Sequence, residues 1–187
     1  MSDVMIDLET LSVTPESVLL TLAAVKFNPH NTVGVTDELY HKLNVDEQIA
    51  QGREVNDDTL LWWFRQPQAV QDDAMSEHDR ITVKDSLTEL TKFLVGVNDI
   101  WCQGPVFDIV ILENLYRSYG MHFPWSYWQI RDSRTLFKFL SYDPRAELRK
   151  LNSKAHHNAL DDAIIQACAV QKCYKLLKNS DLAELPR

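Results

Sequence analysis

The stretch VMIDLET, Val4 to Thr10, sets two carboxylates, Asp7 and Glu9, two residues apart in an apolar, strand-like run. Residues i and i+2 of a strand project from one face, so the pair would stand side by side and repel unless positive charge lies between them. Two further acids occupy element ends rather than polar loops. Asp108 falls in the opening turn of a helix that follows a strand, and Asp162 in the first turns of the last long helix. Carboxylates drawn from separate segments are what a pair of Mg²⁺ ions needs, because hard cations prefer oxygen ligands. Two such ions can clamp the attacking and leaving oxygens of phosphoryl transfer.

His157 lies five residues before Asp162. If Asn158 caps the helix, His157 sits in the preceding loop and can turn toward the same cavity. A neutral imidazole near pH 7 suits a general base. Its neighbour His156 reads as structural. Asp161 reads as a first-turn helix acid, and Asp132, after an apparent strand, is a secondary candidate for the site.

The elements that must position these groups are legible in outline. Val4–Ile6 opens as a short strand, Ser17–Phe27 reads as a second and Asp37–Leu43 as a third, an antiparallel meander. Helical signals follow. NDDTLLWWFRQ has Asn56 as N-cap, and TVKDSLTELTKFLVG pairs Thr82 with Asp85 in a capping-box spacing and aligns Val83, Leu87, Leu90 and Leu94. Asp99–Gln103 reads as a buried strand, then GPVFDIVILENLYRSYG as a helix with Pro105 at its start and Gly120 past its end. WQIRDSRTLFKFL reads as a short strand running into a helix, and HNALDDAIIQACAVQKCYKLLK as the clearest helix of the chain. Strands first and βα alternation afterwards predict an α/β domain with a mixed sheet and helices on both faces.

The chain has 187 residues, 45% of them hydrophobic, which predicts one packed domain, residues 1–187, rather than disorder. No apolar run approaches the roughly 20 residues that cross a bilayer, so no membrane partner is expected. The opening Met-Ser-Asp lacks the basic start and apolar core of a signal peptide, and a cytoplasmic setting is expected. Cys102, Cys168 and Cys173 form no CxxC pair and are expected as buried thiols. The net charge of −8 argues against a general polyanion-binding surface, yet the segment from Gln129 to His156 carries seven Lys/Arg, Lys154 among them, against three acids. That basic run gains meaning if it lies beside an acidic metal site.

The order DLET, GPVFD and HNALDDA resembles the DnaQ-like 3′-to-5′ exonucleases of the DEDD group, in the subtype that carries a histidine. TLLWWFRQ and WCQGPVFD resemble the branch that contains phage exonuclease A and bacterial exoribonucleases. The resemblance implies a ribonuclease H-like fold. It also implies two divalent ions, Mg²⁺ or Mn²⁺, held by Asp7, Glu9, Asp108 and Asp162, with His157 as general base. The expected activity is removal of nucleoside 5′-monophosphates from the 3′ end of single-stranded DNA or RNA, and a homodimer is compatible with it.

Substrate-binding candidates follow. The resemblance places Thr10 and Leu11 beside the terminal nucleotide, with Leu11 as a wedge. Phe107 either lines the same pocket or packs under the sheet. Of Trp62, Trp63 and Phe64, core packing accounts for at least two, and Trp63 is taken as the base-stacking candidate. Arg131 and Arg134 are candidates for phosphate contacts. Three alternatives stand beside this reading: a hydrolase of short oligonucleotides or nucleotide derivatives on the same fold, a nucleic-acid-binding module with weak or no activity, and a plain structural role for Asp7 and Glu9 as edge-strand solubility devices.

Overall fold

The computed structural model describes residues 2–31, 34–152 and 157–179; Lys154 and His156 lie outside them. In chain order the elements are β1 (Ser2–Thr10), β2 (Leu19–Phe27), β3 (Val35–Leu43), α1 (Val45–Ala50), α2 (Asp57–Trp63), α3 (Gln68–Met75), β4 (Arg80–Ile81), α4 (Val83–Phe93), β5 (Val97–Cys102), α5 (Pro105–Ser118), β6 (Ile130–Asp132), α6 (Ser133–Leu140), α7 (Arg145–Asn152) and α8 (Ala159–Lys178). Six strands form one sheet in the order β4-β3-β2-β1-β5-β6. β1, β2 and β3 pair antiparallel, as the meander predicts, while β5 runs parallel to β1 and β6 parallel to β5.

β1 is therefore the strand at which the antiparallel and parallel halves meet. Covered on both faces, it continues as a strand through Thr10, well past the Ile6 boundary expected from its apolar run. Its even-numbered residues Val4, Ile6 and Leu8 pack with Leu87, Leu90, Leu112, Leu115 and Tyr116 of α4 and α5. Met5 packs on the opposite face with α6 and α8. Strand alternation then gives Asp7 and Glu9 to the α8 side. α8 presents Ala159, Ala163 and Ala167, all fully buried, at four-residue spacing. These small side chains allow its first turns close to the sheet, where the carboxylates stand.

The predicted caps are formed. The side-chain oxygens of Asn56, Thr82 and Asn158 accept from the backbone N–H groups of Thr59, Asp85 and Asp161. α1, α3, α7 and β4 are additions to the sequence-based outline. No helix of the described residues is long and apolar enough to cross a membrane. Cys102 and Cys173 are buried and Cys168 is partly so.

Candidate active site

Because β1 and β5 are parallel, α5 begins at the same sheet edge where β1 ends. An open α/β sheet gathers ligands at such an edge, beside a switch in strand direction. Gly104, at φ 114, turns the chain from β5 into α5, and Asp108 follows in the helix's first turn. From the other side, α8 brings Asp162 and the residue before its cap brings His157. Asp7, Glu9, Asp108, His157 and Asp162 all line one cavity of about 580 Å³. Sequence order thus converges in space: the five predicted residues share a single chamber.

The geometry inside is specific. Asp7 Oδ1 accepts a hydrogen bond from Gln166 Nε2 at 2.8 Å. The backbone N–H of His157 donates to Asp162 Oδ2 at 2.9 Å, and His157 holds a left-handed backbone with φ 61. Donor atoms of Glu9, His157 and Asp162 all lie within 4.8 Å of one another.

Crowding has an electrostatic signature. Burial pushes the Asp7 carboxyl well above the usual range, and the neighbouring Asp108 and Glu9 push it further. Burial and Asp108 raise Glu9 to about 8. Burial raises Asp108 to about 7, against opposing pulls from backbone hydrogen bonds and Arg134. Three acids that resist ionisation together call for a cation.

The residues fit a divalent ion on a further observation. Gln166 Oε1 is buried beside Asp7 with no hydrogen-bond partner, an oxygen of the kind a hydrated cation takes.

A basic wall faces this acidic floor. Arg134, Arg145, Arg149 and Lys150 line the cavity, three of them from α7. Arg149 forms an ion pair with Asp162. Arg145 pairs with Asp143 at 2.6 Å and also donates to Gln103 Oε1. Arg134 donates to the Gln103 carbonyl at 2.8 Å. Of this wall the sequence singled out Arg134 as a phosphate candidate and signalled the α7 residues only as a basic run. Arg145 and Arg149, four residues apart, lie on one helical face, as do Asp162 and Gln166.

A second cavity, about 530 Å³, adjoins the first and shares Leu8, Glu9 and Phe107 with it; Thr10, Val13, Thr59 and Trp62 complete much of its wall. Phe107 lies on the partition, reached from both sides. Several expectations are corrected here. Trp63 is fully buried and its indole N–H donates to the Thr10 carbonyl at 2.9 Å, so it has no face to offer a base. Trp62, one residue earlier and 39% exposed, lines the cavity instead. Leu11 packs with Val18, Leu20 and Trp63 rather than projecting as a wedge. Thr10 itself lines this second cavity, with its hydroxyl donating to the Ser12 carbonyl at 2.6 Å. Arg131 pairs with Asp99 at 2.8 Å and lines neither cavity. Asp132 caps α6, accepting from the Arg134 backbone N–H and the Thr135 hydroxyl, and is not among the residues lining the chamber.

Known proteins share both the sequence and the architecture. An exodeoxyribonuclease of Enterobacteria phage T4 is 30% identical over 129 residues, which are 63% of this chain and 56% of that protein. The chain thus matches little more than half the length of this relative. Among solved structures, the nuclease domain of 3′hExo, a DEDDh family member bound to rAMP, superposes with a TM-score of 0.62 at 13% identity, covering 93% of this chain and 92% of that one. Exonuclease X in complex with 5′ overhanging duplex DNA gives a TM-score of 0.58 at 16% identity, covering 92% and 91%. The fold is the ribonuclease H-like one of DEDDh exonucleases. The profile of the Rv2179c-like 3′-5′ exoribonuclease domain matches residues 2–174, and the chain belongs to that exonuclease family.

Proposed function

We propose that this protein is a divalent-metal-dependent 3′-to-5′ exonuclease that removes nucleoside 5′-monophosphates one at a time from single-stranded RNA or DNA ends. The observation that carries this reading is the meeting of four carboxylates and one histidine, from distant parts of the chain, in one chamber with a basic wall. Asp7, Glu9, Asp108 and Asp162 would hold two Mg²⁺ or Mn²⁺ ions, which when bound supply a nucleophile at neutral pH and charge for the departing 3′ oxygen.

The chain's own side chains do the rest. His157 takes the proton of the attacking water, its backbone N–H tied to Asp162 so that the ring stays beside the carboxylates. Arg134, with Arg145 and Lys150 of α7, meets the phosphate charges of the entering strand. The adjoining cavity, walled by Phe107 and Trp62, takes the terminal nucleoside. An end must be unstacked to enter such a cavity, which favours single strands. With a net charge of −8, the positive wall suits contacts to a few phosphates near the end rather than long tracking along a polymer.

The test is hydrolysis of 3′- and 5′-labelled single-stranded RNA and DNA with Mg²⁺ or Mn²⁺. Stepwise shortening from the 3′ end, abolished in Asp7→Asn, is expected. The two sugars compared side by side settle the preference, and a length series separates a general exonuclease from an enzyme of short oligonucleotides. Absence of metal-dependent cleavage of every substrate would overturn the reading.

A further inference from the structure

Trp62 lines the second cavity and touches His157, a residue of the first. One side of its side chain forms part of the wall of the nucleoside cavity. It also meets the His157 imidazole edge-to-face, with ring centroids 4.8 Å apart and planes at 84°. Behind it, Trp63 makes a second edge contact at 5.1 Å and 80°. Trp63 is itself anchored to the Thr10 carbonyl, the residue that follows Glu9 on β1. A continuous run of side chains therefore leads from the catalytic strand through Trp63 and Trp62 to His157.

His157 precedes the Asn158 cap of α8 with a left-handed backbone, so the helix ladder does not fix its ring. Aromatic contacts of this edge-to-face kind do orient a ring. A general base acts only within about 2.6–3.2 Å of its proton, so ring orientation matters directly to rate.

We propose that Trp62 is a positioning residue through which the nucleobase of the terminal nucleotide sets the orientation of His157. The inference rests on the exonuclease reading above and deepens it. A base filling the nucleoside cavity packs on Trp62, restricts its rotamers and so holds the imidazole against which Trp62 leans. Chemistry at the phosphodiester then depends on what occupies the neighbouring cavity, although the base is remote from the reacting atoms. The enzyme completes its own base only around a nucleotide that carries one, binding energy at a remote group being spent on orientation.

The experiment uses the full chain with Mn²⁺ and two oligonucleotides identical except that one ends in an abasic sugar. Single-turnover kcat and KM are measured for the unaltered protein, Trp62→Ala and Trp62→Phe, with circular dichroism confirming the fold. Loss of the terminal base is expected to lower kcat about tenfold in the unaltered protein, the scale of one lost aromatic contact. In Trp62→Ala, kcat is expected to be already low and nearly indifferent to the base, with Trp62→Phe restoring most of both the rate and its base dependence. Equal sensitivity to base removal in all three proteins, or a change in KM alone, would overturn the proposal. Should Trp62→Ala fail to fold, the same comparison with Trp62→Leu decides. A protein that hydrolyses neither oligonucleotide fails the exonuclease reading itself, an outcome recognisable because it does not depend on Trp62.

Discussion

Arg149 on α7 forms an ion pair with Asp162 on α8 inside the cavity, both side chains about nine-tenths buried. The guanidinium also offsets the charge of Asp7. Arg149 is thus an internal counter-cation for a crowded acidic site. Replacing it with Met should cost the metal-free protein about 1–3 kcal/mol, the usual penalty for a buried charged group left unpartnered. Added Mn²⁺ should then raise the melting temperature more in Arg149→Met than in the unaltered protein. Equal metal-induced shifts in a thermal scan would show that Arg149 and the ion do not serve the same charge.

Asp7→Asn should act in the opposite direction on stability. The amide oxygen can still accept from Gln166, while repulsion from Asp108 and Glu9 disappears. The metal-free variant is expected to be more stable, since the burial of a carboxylate charge and its repulsion from Asp108 and Glu9 are both removed. It should lose stabilisation by divalent ions and lose hydrolysis. Chemical denaturation with and without Mg²⁺ reads both effects; a less stable metal-free variant counts against the crowded-acid account.

The same crowding sets a pH dependence. Glu9 titrates at about 8 in the fold against 4.5 when free, and Asp108 at about 7 against 3.8. Folded pKa values above the free ones mean that the native state holds more protons across that interval, so stability falls as pH rises. Without divalent ions, the stability these two groups contribute should be greatest below about pH 4 and fall up to about pH 8, beyond which they add no further change. Saturating Mg²⁺ should flatten the slope. Melting temperatures taken from pH 4.5 to 8.5 with chelator and with Mg²⁺ provide the check.

His157→Ala should lower kcat by about 10²–10⁴-fold, the range for loss of a positioned general base. Metal affinity distinguishes its role, because His157 also lies close enough to Glu9 and Asp162 to be a ligand. Calorimetric titration with Mn²⁺ is expected to give nearly the same affinity for variant and unaltered protein. A drop of tenfold or more would reassign His157 from base to ligand.

Gly104→Ala should damage the site from outside it. Its φ of 114 strains any L side chain, and an added Cβ would lie 3.3 Å from Arg134 Nη1. A loss of about 1–3 kcal/mol is expected from the backbone alone, together with weaker binding of oligonucleotides as Arg134 is displaced. Denaturant melts and fluorescence anisotropy measure the two separately.

Much of this was legible in the linear chain, for identifiable reasons. The carboxylates and histidine could be picked out because each sits in an apolar or capped setting where an acid needs explaining. The caps at Asn56, Thr82 and Asn158 were legible because their side chains bond locally. What escaped depends on packing at a distance. α7, RAELRKLN, reads as a solvated basic run until the fold lays it over the acids. Gln166 looks like any helix polar residue until β1 brings Asp7 beside it. Trp62 and Trp63 differ by one position, about 100° around a helix, and composition alone does not tell which turns inward. Arg131 and Arg134 looked equivalent, yet Arg131 pairs with Asp99 and lines neither cavity.

The hydrogen bond between Gln166 and Asp7 joins residues 159 positions apart. A chain still emerging from the ribosome with everything through α7 already folded would hold Asp7, Glu9 and Asp108 but neither His157 nor Asp162. The five-residue chamber is therefore complete only once α8 docks across β1.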